Sequence, residues 1–296
     1  MIRRWSIVFL AAAALPAVAV SLPPAGAPRC AVFPRSNPWN RDISRLSVSS
    51  ASDTLVSAIG LDARVHPDFN AQGGYGIPIN FVGRGQRAAR VSFDYSDESD
   101  RVRYPIPARP RIEGGSDRHL LIVDRDACRL YELFDAQRQG GAWHAGSGAV
   151  FDLRSNRLRP DGWTSADAAG LPIMPGLVRY DEVARGRIDH VLRFTAPRTR
   201  SAHIFPARHD AGSSDPSLPP MGLRVRLRAS ASLAGLGPQA RVIARAMKRY
   251  GLILADNGSA WYVTGAPDPR WNDDDLHGLD RFTGRDFQVV RTGASV

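Results

Sequence analysis

The chain has 296 residues, with 39 Lys and Arg against 29 Asp and Glu for a formal charge of +10. That length is enough to bury a substantial core, as one large β-rich domain or two small ones. Lys248 is the only lysine, the arginines are scattered, and neither a basic helix nor an aromatic ladder accompanies them, so no nucleic-acid partner is expected.

Residues 1–19 read as a secretory signal peptide. Arg3 and Arg4 form a positive start, Trp5 to Ala14 an apolar run, and Ala17-Val18-Ala19 a small-residue cleavage site. The run is too short for a membrane span, and no later segment reaches that length, so a secreted or periplasmic protein that does not span the membrane is expected. An uncleaved anchor is the alternative. Loss of Arg3 and Arg4 leaves 37 basic residues (39 less 2) against 29 acidic, about +8.

Residues 20–50 read as an extended N-terminal arm rich in Pro, Asn and Ser. "SASDTLVSAIG" (50–60) gives a capped short helix ending at Gly60. A short strand follows at Ile79–Val82, then another strand with an acidic turn in "ARVSFDYSDESDRVRYPIP". Leu120–Val123 and Arg129–Phe134 are the clearest strands, joined by a turn over Asp124–Ala127. "AWHAGSGAVFDLRSN" (142–156) continues the sheet as one strand or two. After a helical turn near Tyr180–Ala184, strands are expected at Asp189–Phe194, His203–Pro206 and Leu223–Arg228.

"LGPQARVIARAMKRYG" is the one convincing amphipathic helix, over 238–250, with Val242, Ile243, Ala246, Met247 and Tyr250 on one face. Asn257-Gly258 predicts a hairpin turn. A short helix after an acidic cap and a last strand at Phe287–Val290 complete the chain. Many short strands with one long helix predict a mainly β fold, a β-sandwich or jelly roll, as a single domain over 51–296. Two domains cut near 115–118 is the alternative.

Cys30 and Cys128 are an even pair in an exported chain, which predicts a disulfide. Neither has ligand-spaced partners, and no metal or other cofactor is expected.

"GWTSADAAGLPIMPGLVRYDEVARGRIDHVLRF", "RHDAGSSDPSLPPMGLRVRL" and "QARVIARAMKRYGLILADNG" together resemble a family of uncharacterised exported bacterial proteins, from about Cys30 to the end. The resemblance implies an exported chain and one structural unit. It implies no reaction.

Familiar catalytic motifs are absent: there is no P-loop and no HExxH. Around Ser147 the glycines stand directly beside the serine, one position too close for a nucleophile elbow, and a strand follows where a helix is needed. Glu132 is the leading acid/base candidate, because a carboxylate inside an apolar strand in a cleft acquires a raised pKa. His144 and His190 are expected to position substrate, with Asp152 as a second carboxylate. Trp143 and Trp163 offer faces for stacking on sugar, and Arg154 and Arg193 suit an acidic substrate. For each, packing or a solvated surface is the plainer alternative. The expected function is binding of polysaccharide or envelope glycan, with glycoside hydrolysis in the catalytic version. A non-catalytic envelope protein and a polysaccharide lyase are the alternatives.

Overall fold

The structure, a computed structural model, describes residues 21–69 and 74–293; the expected signal peptide lies outside these residues. Its strands are β1 (Ile79–Val82), β2 (Val91–Phe93), β3 (Leu120–Asp124), β4 (Arg129–Phe134), β5 (Gln137–Gln139), β6 (Ala142–Ala145) and β7 (Ser147–Asp152). They continue as β8 (Leu192–Ala196), β9 (Arg200–His203), β10 (Pro220–Met221), β11 (Arg224–Leu227), β12 (Leu252–Asn257), β13 (Tyr262–Val263) and β14 (Phe287–Val289). The α-helices are α1 (Ser52–Gly60), α2 (Tyr180–Ala184), α3 (Pro238–Arg249) and α4 (Asp273–Leu276). The chain is β-rich, as expected.

Two larger sheets dominate. One has the order β1-β3-β4-β7, with β1 parallel to β3 and the other pairs antiparallel. The second has the order β13-β8-β12-β11-β14, in which β8 and β12 run parallel. Smaller sheets, β2-β6-β5 and β10-β9, flank them.

The unbroken apolar run Leu120–Val123 has a direct cause. Leu121 and Val123 enter the main core with Leu130 and Ala149, while Leu120 and Ile122 enter a smaller core with Tyr104 and Leu133. Both faces of β3 are buried, so neither can carry polar side chains; each Leu or Val buried this way contributes about 1.5–3 kcal/mol. The main core draws side chains from Ala27 to Val289 and from both larger sheets. At its centre Trp261 lies between the rings of Phe194 (5.4 Å) and Phe287 (4.7 Å), and its indole donates to the Gly60 carbonyl at 2.7 Å.

α3 forms where its periodicity predicts and buries Val242, Ile243, Ala246 and Met247. Its first amides are capped from another element: Asp275 of α4 accepts from Gln239 N (2.8 Å) and Ala240 N (3.1 Å). The Cys30–Cys128 disulfide is present and ties the N-terminal arm to the residue before β4.

Two local expectations need correction: the strand expected at His203–Pro206 lies earlier, at Arg200–His203, and the hairpin expected at Asn257-Gly258 is not formed. β12 and β13 do not form a hairpin at Asn257-Gly258, because β8 lies between them and pairs with both. Of the one strand or two expected for "AWHAGSGAVFD", the structure forms two, β6 and β7, in different sheets and broken at Gly146. The glycines make room: a Cβ on Gly146 would meet the Phe134 ring at 2.6 Å, and one on Gly148 the Tyr104 hydroxyl at 2.5 Å.

Candidate functional site

Arg193 of β8 is buried at 3% exposure, and a buried cation requires compensating carboxylates. It donates from Nε to Asp167 Oδ2 (3.2 Å) and from Nη2 to Asp167 Oδ1 (3.0 Å), a bidentate fork. Its Nη1 donates to Thr264 Oγ1 at 2.6 Å, and Asp256 Oδ2 lies 3.8 Å from Nη2.

A bulge brings Asp256 there. Along β8 and β12 the pairing runs Ile253 with Arg193 and Leu254 with Phe194, then skips Ala255, so that Asp256 faces Thr195. Without that extra residue Asp256 would pair with Ala196, on the other face of the sheet from Arg193. The bulge re-aims the carboxylate.

Asp167 is positioned by its own loop. The Ser165 hydroxyl accepts from Asp167 N and lies within donating distance of the Leu171 carbonyl (2.9 and 2.5 Å). Gly170 closes the turn at φ +67°, where a Cβ would strike the Trp163 carbonyl at 2.5 Å. His119, buried at the start of the four-stranded sheet, contacts the Ala166 carbonyl through Nε2 (2.9 Å) and Glu113 through Nδ1.

The Asp167 and Asp256 carboxyls are brought together at one guanidinium, with Asp167 Oδ1 3.0 Å and Asp256 Oδ2 3.8 Å from Arg193 Nη2. Burial, then the adjacent Asp167 charge, push Asp256 up to about 8. Burial also raises Asp167, opposed by Arg193. Burial alone would lower the Arg193 guanidinium, but Asp167 and Asp256 outweigh it and hold its pKa above the usual value. Burial likewise opposes a charge on His119, and the Glu113 hydrogen bond reverses the balance, raising it. The result is a carboxyl that keeps its proton at neutral pH, set beside a second buried carboxyl gripped by an arginine.

The pair opens to solvent through Asp256, whose side chain is 21% exposed, while Asp167 is buried. A cavity of about 280 Å³ opens between the two larger sheets, with Phe134 and Ser147 on one side and Asp167 and Asp256 on the other. Tyr95, Glu98 and His209 complete its lining. Glu98 accepts from Thr164 N at 3.0 Å and lies 3.6 Å from His209 Nε2, while His209 Nδ1 donates to the Ala168 carbonyl at 2.8 Å. Asp256 also lines a second cavity of about 200 Å³ with His119, Arg193 and Tyr262.

The residues singled out from sequence do not meet in one cleft. Glu132 is fully buried and accepts only from backbone amides, Ile173 N (2.9 and 3.0 Å) and Met174 N (2.9 Å). Its pKa is indeed high, pushed up to about 7 by burial against the pull of those amides. Its work is to hold the Ile173–Met174 turn. Asp152 lies on the opposite face of β7, since it pairs with Arg129 while Glu132 pairs with Ala149, and its carboxylate accepts from Arg154 N at 2.9 Å.

His144 belongs to the small sheet, where Nδ1 contacts Ser92 Oγ (3.0 Å) and Nε2 faces Asp94 (3.1 Å). His190 is fully buried, between the Val191 carbonyl (2.8 Å) and Glu182 (3.0 Å). Trp143 packs on the smaller core. Arg154 is exposed beside Asp152. Trp163 and Asp152 do share a groove of about 550 Å³ on the outer surface. Ser147 lies within donating distance of the Ser165 carbonyl at 2.5 Å.

Arg193 is the one singled-out residue that belongs to the carboxyl site, and it serves Asp167 rather than a substrate. Asp167, Asp256, Glu98 and His209 were not singled out. No residue type or spacing pointed to the two aspartates, which stand in the turn-like segments "SADAAG" and "ADNG". Among the described residues no group of three His, Cys, Asp or Glu could hold a metal ion, and no helix is long and apolar enough to cross a membrane. Comparison with protein-family models, with curated proteins and with solved structures gave no match.

Proposed function

We propose that this protein acts outside the cytoplasm on a glycan, hydrolysing a glycosidic bond with Asp256 as the proton donor. The observation that carries this reading is the Asp256–Asp167 pair, gathered at Arg193, in the lining of a solvent-connected cavity. Cleavage of an acetal needs an acid that keeps its proton at the working pH. Asp256, raised to about 8, is such an acid, and it takes the role expected of Glu132. Glu98, in the same cavity, is the carboxylate available to activate water. Tyr95, 56% exposed at the rim, offers an aromatic face to a sugar ring.

The leader pattern and the disulfide support an exported site of action. The two larger sheets, sharing one core with the cavity between them, support a sandwich-type scaffold.

The test is release of reducing ends from peptidoglycan, xylan, chitin and pectin by the wild type and by Asp256→Asn. The expected result is turnover on one of these by the wild type and a loss of at least about 100-fold in the variant. Tight binding without product would replace hydrolysis by a non-catalytic envelope role. Unsaturated products absorbing in the ultraviolet would replace it by lyase chemistry.

A further inference from the structure

The 550 Å³ groove is separated from the carboxyl cavity by a thin wall. Asp100 and Trp163 face the groove, while Glu98 and Thr164, close to them in the chain, face the cavity. Arg159 holds this wall. It donates to Asp100 Oδ2 (2.5 Å), to the Glu98 carbonyl (2.7 Å) and to the Thr164 carbonyl (2.7 Å). Its guanidinium also lies 5.5 Å from the Trp163 ring and 5.9 Å from Phe151, which fixes the indole beside the groove.

The charges of the groove are unequal. Asp100 is satisfied by Arg159 and by Val150 N (2.9 Å), and Asp152 by the Arg154 amide (2.9 Å) and Nε (3.4 Å). Arg159 is consumed by the wall. Arg129 and Arg157 also line the groove, both exposed, and neither guanidinium is ion-paired or hydrogen-bonded among the described residues. Arg129 leaves β4 opposite Asp152 in the ladder, and the Arg157 backbone is set by a bond to Ser155 Oγ at 3.1 Å. A fixed indole next to two unspent planar forks is a surface for a ring that carries a carboxylate.

The geometry points to this groove as a binding site for an acidic saccharide, with Trp163 under the sugar ring and Arg129 and Arg157 on uronate carboxylates. The site stands independently of hydrolysis at Asp256.

Calorimetric titration at low ionic strength tests it, with tetragalacturonate and its neutral counterpart, α-1,4-linked galactotetraose, as probes. The wild type is expected to bind the uronate at least about tenfold more tightly than the neutral sugar. Arg129→Gln/Arg157→Gln abolishes that difference, Trp163→Ala weakens uronate binding about tenfold or more, and Asp256→Asn leaves it unchanged. Circular dichroism of the surface variants checks that they fold. Absence of uronate binding, equal affinity for both sugars, or an unchanged affinity in the double arginine variant overturns the site. So does inorganic polyphosphate binding as tightly as the uronate without any effect of Trp163→Ala, which marks a general polyanion surface. Loss of hydrolysis in Asp256→Asn with groove binding intact separates the two sites.

Discussion

Replacing Glu132 by glutamine isolates the consequence of burying this carboxyl. In the folded chain burial raises its pKa from the ordinary 4.5 to about 7, although three amide contacts to Ile173 and Met174 pull the other way. Between those two pH values the unfolded chain has released the proton and the folded chain retains it. The folded state therefore binds more protons, and stability falls as pH rises through the window and levels off above about 7. Each pKa unit is worth about 1.4 kcal/mol, so the full effect is about 3 kcal/mol. Glutamine does not titrate, and its amide group turns a donor toward backbone donors, a constant cost of about 1–3 kcal/mol. Urea unfolding of both proteins at intervals from pH 4.5 to 8 gives the difference directly, because the other titrating groups are common to both. The glutamine variant is expected to be the less stable at pH 4.5 and to gain about 3 kcal/mol on the wild type by pH 8. A difference that stays constant across the range would refute the idea that the Glu132 charge is disfavoured in the fold.

Arg193→Met leaves Asp167 and Asp256 without their cation and is expected to cost about 3–5 kcal/mol, more at pH 8 than at pH 5 because the unpaired carboxyls then resist ionisation. Urea melts at the two pH values decide it, and an equal loss at both counts against the pairing. Gly148→Ala places a methyl 2.5 Å from the Tyr104 hydroxyl and 2.6 Å from the Phe93 ring, so a loss of about 1–3 kcal/mol is expected by thermal or urea unfolding. Undiminished stability would mean that the small residues of "AWHAGSGAVFD" are not there to admit those rings.

Much of the scaffold was legible because its causes are local. The LLIV run of β3, the alternation of β4, the apolar face of α3 and the even cysteine pair each announce themselves within a short window. The carboxyl site was not legible, for two reasons. Asp256 stands in "ADNG", where turn chemistry is the ordinary reading of aspartate, and its direction depends on a single skipped residue at Ala255 that leaves no trace in periodicity. Asp167 stands in a polar loop whose meaning depends on Arg193, 26 residues away. Glu132 was rightly seen as an unusual strand glutamate, yet its partners are backbone amides 41 and 42 residues further on, which no residue type reveals. His144 and His190 each have close partners of their own, so histidine near glycine or aspartate in sequence carried no information about convergence.

The proton on the aspartate pair can be observed without a substrate. Aspartate-selective 13Cγ labelling and a carboxyl NMR titration from pH 3 to 10, in the wild type and in Asp256→Asn, read each carboxyl in turn. One resonance is expected to stay protonated through neutral pH, to titrate near 8, and to vanish in the variant. A spectrum in which every aspartate titrates below about pH 5, as exposed carboxyls do, would contradict Asp256 as an acid at neutral pH and with it the proposed hydrolysis.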